Sequence, residues 1–298
     1  QMRKIALLFT FTILFAGLLT AQFRMHRQSF GPQVETKVMT FNIRYSTKTD
    51  GVNSWDNRKE KIVETILNNE VDILGVQEAL HSQVIDLEKG LKSYEWMGVG
   101  RDDGIEKGEY SPIFYNKNKF SEVGSGYFWL SESPMEAGSK GWDAACVRIA
   151  TWAKLRDNRN GRVIFVLNTH FDHVGEQARR ESAKLLLQKI NVYTKKNKFP
   201  IIVTGDFNST PNGDAIQILK NRNNPQSLTD ARDVTLKTSG PNWTFHGFGK
   251  VPTEKRPLID YVFVKNKISV LDYQVIEGKL PNNKWLSDHC SVLVTVEY

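Results

Sequence analysis

One arrangement of elements occurs twice along this chain, and it restricts the fold more than any single motif does. The apolar run "VMTFNI" (38–43) contains Asn42, helix-like spacing follows over 58–70, and a second run, "VDILGV" (71–76), leads into Gln77 and Glu78. The same order returns with "RVIFVLNT" (162–169), which contains Asn168, a helix-like stretch over 175–191, and "FPIIVTG" (199–205), which stops at Asp206. Element order is repeated here, while residue identity is not. Short, continuous apolar runs bounded by turn residues read as strands buried on both faces. Two such β-α-β units predict two sheets packed face to face with helices outside them, a mixed α/β arrangement. Further strand-like runs, "SPIFYN", "VRIATWAKL", "PLIDYVFV" and "SVLVTV", and helix-like stretches at 82–91 and 213–221 extend the same scheme. Function concentrates in loops and strand ends on a rigid scaffold, so the polar residues that close these runs are the informative ones.

Length and composition bound what those residues can belong to. At 298 residues the chain can bury a sizeable core, since two-sheet folds of roughly 200–250 residues form single domains. Its 40% hydrophobic and 24% charged residues are those of a soluble globular protein. The first 21 residues differ: Arg3 and Lys4 precede an uncharged run from Ile5 to Ala21, "IALLFTFTILFAGLLTA", that closes in small residues. This is the layout of a secretory signal peptide, so export to the periplasm or the exterior is expected. An uncleaved membrane anchor is the alternative, because the run approaches the length of a spanning helix. Residues 22–36, with Gly31-Pro32, read as a linker, and 37–298 as the functional domain. The formal charge of +7 includes Arg3 and Lys4, which leave with the leader, and no run of five basic residues occurs. That excludes a dedicated nucleic-acid tail, while a mild positive charge suits a phosphate-bearing substrate. Cys146 and Cys290 are too few for a disulfide scaffold, and their spacing does not decide whether they pair. No obligate protein partner is signalled, and a monomer is expected.

Each polar strand end has a structural reading beside a chemical one. Asn42 interrupts an apolar strand, where a buried amide must find partners. Glu78 follows "VDILGVQ" directly, either as an acid near a helix start or as a metal ligand facing a cleft. In "LNTHFDH", Asn168, His170, Asp172 and His173 precede a helix that Asp172 is suited to cap. In "GDFN", Gly205 permits the turn that lets Asp206 and Asn208 face one point. Asp260, in "PLIDYVFV", is an acid in an apolar strand and requires a partner. Asp288 and His289 either form the turn before the last strand or belong to a site. Together Asn42, Glu78, Asp206, Asn208 and Asp288 offer the hard oxygen donors that suit Mg²⁺ or Mn²⁺. Zinc is disfavoured, because CxxC spacing and HExxH are both absent. An Asp behind a His fixes its tautomer and raises its basicity, the device of a water-activating pair.

The motifs "TFNI", "GVQE", "LNTHFD", "GDFN", "IDY" and "SDH", in this order across residues 38 to 290, resemble the endonuclease/exonuclease/phosphatase superfamily. That superfamily includes pancreatic-type deoxyribonucleases, abasic-site endonucleases, sphingomyelinases, deadenylases and inositol-polyphosphate 5-phosphatases. The resemblance implies a four-layer α/β/β/α sandwich of the DNase I type, with the site where the strand ends of both sheets meet. It implies that Glu78 binds a divalent metal with Asn42 beside it and Asp288 completing the network. It also implies that Asp206 and Asn208 position the water or leaving group and the phosphate, that Asp260 orients His289, and that His170 contacts the phosphate or donates a proton. Arg148 in "RIATW" resembles a further phosphate contact, and Tyr115 matches a position that carries a phosphate-binding Tyr in the nuclease branch.

Substrate identity lies outside these motifs. A Trp-Cys-Asp-Arg run before the "IDY" segment is absent, which argues against inositol polyphosphates. Trp55, Trp142, Phe245 and Trp285 lie in loops near the motifs as candidates for stacking on a base or sugar ring, with buried loop anchors as the alternative. Asp172 and Trp285 join Arg148 and Tyr115 as substrate-binding candidates. The leading expectation is an exported phosphodiesterase, nuclease-like in type. The alternatives are a phosphomonoesterase on a sugar or lipid phosphate and a silent binding module on the same fold.

Overall fold

The computed structural model describes residues 33–194, 198–281 and 284–298. The expected signal peptide and most of the linker lie outside the described residues. The linker's end is corrected: the first strand, β1, runs Glu35–Asn42, because Thr36 and Lys37 already pair with Val296 and Thr295 of the last strand. Then come α1 (Lys59–Asn68), β2 (Ile73–Gln77), α2 (His81–Gly90), β3 (Tyr94–Met97), β4 (Ile113–Asn116), β5 (Phe120–Trp129), β6 (Ile149–Asp157) and β7 (Val163–His170). The chain continues through α3 (Glu176–Thr194), β8 (Ile201–Asp206), α4 (Asp214–Lys220), β9 (Thr229–Asp230), α5 (Ala231–Val234), β10 (Thr238–Ser239), β11 (Asp260–Lys265), β12 (Ser269–Ile276) and β13 (Ser291–Glu297).

Seven strands form one sheet in the order β10-β12-β13-β1-β2-β4-β3, and six form the other as β5-β6-β7-β8-β11-β9. In each sheet one neighbouring pair is parallel, β1 with β2 and β7 with β8, and a helix joins each pair. These are the two β-α-β units of the sequence. A parallel pair needs a crossover, and α1 and α3 supply it on the outer faces. Helix α1 turns Ile62 and Ile66 inward at helical spacing, and α3 does the same with Ala183, Leu186, Leu187 and Ile190.

Three apolar layers separate four layers of structure. Val38, Ile73, Val166, Ile202, Val262 and Val292 fill the space between the sheets. Met39, Phe41, Leu74 and Val76 pack outward with Ile62, Ile66 and Leu87, and Phe165, Leu167, Val203 and Phe263 do so with Leu186 and Ile190. Because side chains alternate along a strand, parity decides which face a residue takes. Val38, Thr40 and Asn42 share one parity, as do Val166, Asn168 and His170, Ile202, Thr204 and Asp206, and Val262 and Asp260. Inner-facing valines and isoleucines therefore carry the terminal polar groups into the space between the sheets.

Below those groups lies a buried polar seam. Gln77 Nε2 donates to Thr40 Oγ1 at 3.0 Å and to Asn168 Oδ1 at 2.6 Å, and Thr204 Oγ1 donates to the same oxygen at 3.0 Å. Asn168 Nδ2 donates to the carbonyls of Val76 and Pro112. These hydrogen bonds tie the two sheets in one register.

Candidate active site

The site forms where β1, β2, β7 and β8 end and β11 begins. Asn42 is fully buried and donates through Nδ2 to Glu78 Oε1 and to Asp206 Oδ2, each at 3.0 Å. Its Oδ1 accepts from the Arg44 N–H at 3.0 Å. Asn42 therefore holds two carboxylates in place, with its Oδ1 engaged by one N–H and a second lone pair left over. Glu78 also accepts from the Tyr45 N–H at 3.2 Å. Next to Asp206 in the sheet stand His170 and Asp260.

His289 Nδ1 donates to Asp260 Oδ2 at 2.9 Å, and both side chains are buried. Burial alone would lower the imidazole's pKa, but Asp260 and Asp206 outweigh it and hold His289 well above its ordinary value. Its other nitrogen, Nε2, lies 3.7 Å from Asp206 Oδ2. Asp206 is pushed up to about 7 by burial and by Asp260, and burial also raises Asp288. His170 behaves oppositely: burial and Arg148 hold it well below its usual value, so the ring is neutral. Asn208 Nδ2 donates to His170 Nε2 at 3.0 Å, leaving the proton on Nδ1, which has no hydrogen-bond partner.

Glu78, Asp206 and His289 bring ligating atoms within 4.8 Å of one another. Asp206 and Asp288, both raised by burial, stand with Glu78 as an oxygen-rich set of the kind that fits a hard divalent ion. Cys146, Asp172 and His173 also approach within 4.8 Å, but their surroundings suit a cation poorly. Both Asp172 oxygens accept backbone N–H groups, from Val174, Gly175 and Cys146, and Arg148 Nε sits 3.4 Å away. Those hydrogen bonds outweigh burial and keep Asp172 ionised well below the usual range. Asp172 thus holds Arg148 in place and does not line the cavity, which corrects its expected substrate contact.

The cavity above these groups measures about 720 Å³. Glu78, Asp206, Asn208, His170, Asp288, His289 and Arg148 line it. Tyr115 and Trp285 do not. Tyr115 is buried in the inter-sheet core with its hydroxyl on Glu95 at 2.6 Å. Trp285 is buried against His246, with ring centroids 4.2 Å apart. Both are apolar anchors, the ordinary use of an aromatic residue beside a strand. Trp55 is likewise buried, donating to Asp86, whereas Phe245 lines the cavity edge-on to His289 at 4.9 Å. Cys146 lines the cavity, Cys290 lies in the core, and both are free. Arg44, Tyr45, Arg101 and Glu109 also line it and were not singled out from sequence. Arg44 and Tyr45 follow Asn42 directly, a signal that proximity to "TFN" offered; Arg101 and Glu109 sit in a loop with no pattern to betray them.

The pattern of the Endonuclease/Exonuclease/phosphatase family matches residues 39–289. The chain belongs to this family. Phosphoric-ester hydrolysis of the nuclease or phosphatase type is therefore its chemistry. It is similar to the endonuclease/exonuclease/phosphatase of Bacteroides vulgatus, at 42% identity and a TM-score of 0.84 over 88% of this chain and 98% of that one. It is also similar to the mannosyl-6-phosphatase Bt3783 of Bacteroides thetaiotaomicron, at 32% identity and a TM-score of 0.82 over 88% of this chain and all of the other. The 3'-5'-exoribonuclease subunit Ccr4 of Mycosarcoma maydis is 23% identical over 88% of this chain, which spans 50% of that protein's length. Among family members with these ends, the DNase I-type sandwich expected from sequence is the fold observed.

Proposed function

We propose that the protein hydrolyses a phosphoric monoester of a small molecule, assisted by Mg²⁺ or Mn²⁺ held by Glu78, Asp206 and Asp288. The carrying observation is charge matching along the cavity. Arg101 forms a two-pronged pair with Glu109 at 2.7 and 3.0 Å, Arg148 is matched by Asp172, and Arg44 stands among Asp50, Glu78 and Asp288. The metal centre accommodates one phosphate, and the lining arginines beyond it are already paired, so a strand's next phosphate finds no surplus cation there. The mannosyl-6-phosphatase relative supports the same reading.

His289 Nε2 takes a proton from the attacking water while Asp260 holds the ring. An oxygen–phosphorus bond forms as the ester P–O bond breaks, and a proton passes to the leaving oxygen, giving inorganic phosphate and an alcohol. Bound at the carboxylates, the cation supplies positive charge to the phosphate oxygens and offsets the acids that otherwise keep His289 protonated. Asn208, with its amide hydrogens on His170 Nε2 and the Phe171 carbonyl, orients His170, whose Nδ1–H is the donor left for the phosphate. The leader supports export as part of the same proposal.

A phosphodiesterase reading, nuclease-like in type, rests on one feature. A groove of about 380 Å³ lined by Arg179 and Arg180 meets the cavity at Asn208 and Thr210, along a path open to a longer chain. Hydrolysis of phenyl phosphate, bis(p-nitrophenyl) phosphate and a single-stranded oligonucleotide with Mg²⁺ separates the two. The proposal expects the monoester to be cleaved with the highest kcat/KM; faster cleavage of the diester or the oligonucleotide would overturn it.

A further inference from the structure

One wall of the cavity is carried by a loop that neither strand pattern nor motif identifies, residues 98–110. It is stiffly built. The Arg101 N–H donates to the Glu109 carbonyl at 3.1 Å and the Asp102 N–H to the Lys107 carbonyl at 3.0 Å. The Asp103 carboxylate accepts from the N–H groups of Ile105 and Lys107, and Trp129 Nε1 donates to the Arg101 carbonyl at 2.6 Å. Gly108 takes a φ of 81°, and a Cβ there would lie 2.5 Å from the Asp102 carboxylate. So fixed, the loop presents the Arg101–Glu109 pair to the cavity with both side chains mostly covered, 13% and 18% exposed. Burial raises the Glu109 carboxyl against the pull of Arg101.

Behind this pair lie donors that the protein leaves unused. His170 Nδ1 stands 3.9 Å from Glu109 Oε2 without a hydrogen-bond partner, and Arg148 Nη1 and Arg101 Nε are also buried without one. Buried polar atoms of this kind cost free energy unless something bonds to them. The cavity's other side is apolar, with Phe245, Pro257 and Ile259.

We propose that Arg101 and Glu109, backed by Arg148, read adjacent hydroxyls on the leaving group, which makes the substrate class a sugar phosphate. This rests on the monoesterase reading. The pair is internally neutral. An anionic leaving group would need an uncompensated guanidinium, and a cationic one an uncompensated carboxylate. An apolar one would leave Arg148 Nη1 and His170 Nδ1 without hydrogen bonds. Hydroxyls both donate and accept, so neighbouring hydroxyls satisfy a carboxylate and a guanidinium fork at once. A pyranose also offers a C–H face to the apolar wall formed by Phe245 and Ile259.

The test compares kcat/KM for mannose 6-phosphate and for phenyl phosphate, a monoester without hydroxyls, in the wild type, Glu109→Gln and Arg101→Lys. Glu109→Gln keeps size, and Arg101→Lys keeps charge but removes the guanidinium fork. Losing a charged hydrogen bond to substrate predicts roughly a 10- to 100-fold fall. The proposal expects that fall on the hexose phosphate in both variants, at least tenfold larger than on phenyl phosphate. Equal losses on the two substrates, or no loss on the sugar, would overturn it while leaving the monoesterase reading intact. A wild type that releases phosphate from neither would overturn both.

Discussion

Glu78 has a φ of 62°, Arg44 of 60° and Asn208 of 45°, a backbone region that side chains with a Cβ rarely enter. All three line the cavity. Such conformations persist only when their surroundings over-determine them; Asn42 does so for Glu78 and the Arg44 N–H, and Asp206, itself bonded to Asn42, accepts from the Asn208 N–H. Asn42→Ala should therefore lower kcat/KM by roughly 10- to 100-fold, as loss of a residue that orients metal ligands does. A Mg²⁺ titration of the variant should show weakened apparent affinity, and an unchanged titration would contradict the role. The acids and histidines of the site were readable in sequence because each lies at or beside the end of an apolar strand, where a polar side chain demands a purpose. Arg101 and Glu109 were not, since where a loop side chain ends up depends on tertiary packing. Tyr115 and Trp285 misled for a related reason: an aromatic residue next to a motif packs inward as readily as it faces a ligand.

At the scale of elements, the site depends on two sheets held in fixed register. Gly75 of β2 is the point of closest approach: a Cβ there would meet Thr204 Oγ1 at 2.1 Å and Asn168 Oδ1 at 2.6 Å. Gly75→Ala forces the sheets apart or breaks the seam, so it should cost about 2–3 kcal/mol by urea unfolding, the upper range for overpacking. A cost below about 0.5 kcal/mol, the size of an ordinary surface change, would mean that the seam is loose. The parallel β-α-β pairs were readable because α1 and α3 have clear spacing between continuous apolar runs. Strands β3, β5 and β12 were not. β5 lies at a sheet edge, exposes Ser121 and Glu122, carries Gly124 and Gly126, and has a bulge between Glu122 and Gly124. β12 has an irregular register between Val270 and Asp272. Edge strands such as β3 and β5 pair on one side only and need neither alternation nor a continuous apolar run.

Over the whole molecule, four layers converge polar strand ends on one cavity, and the chemistry follows from which charges remain unmatched there. The acids at the proposed cation site are in excess, whereas the arginines along the walls are paired. Among the described residues no helix is long and apolar enough to cross a membrane. The four-layer order was readable from the twofold element order, because a strand buried on both faces needs a sheet on one side and a helix on the other. The substrate was not, because the walls that select it are loops. The most direct measurement is the rate of phosphate release from mannose 6-phosphate by the full chain against Mg²⁺ concentration, for the wild type and His289→Ala. The wild-type rate should rise to saturation with Mg²⁺ and vanish with EDTA, and His289→Ala should retain metal dependence with kcat lowered roughly 10²-fold or more. Hydrolysis that ignores EDTA, or a variant with wild-type kcat, would contradict a centre in which Glu78, Asp206 and Asp288 hold the cation and His289 activates the water.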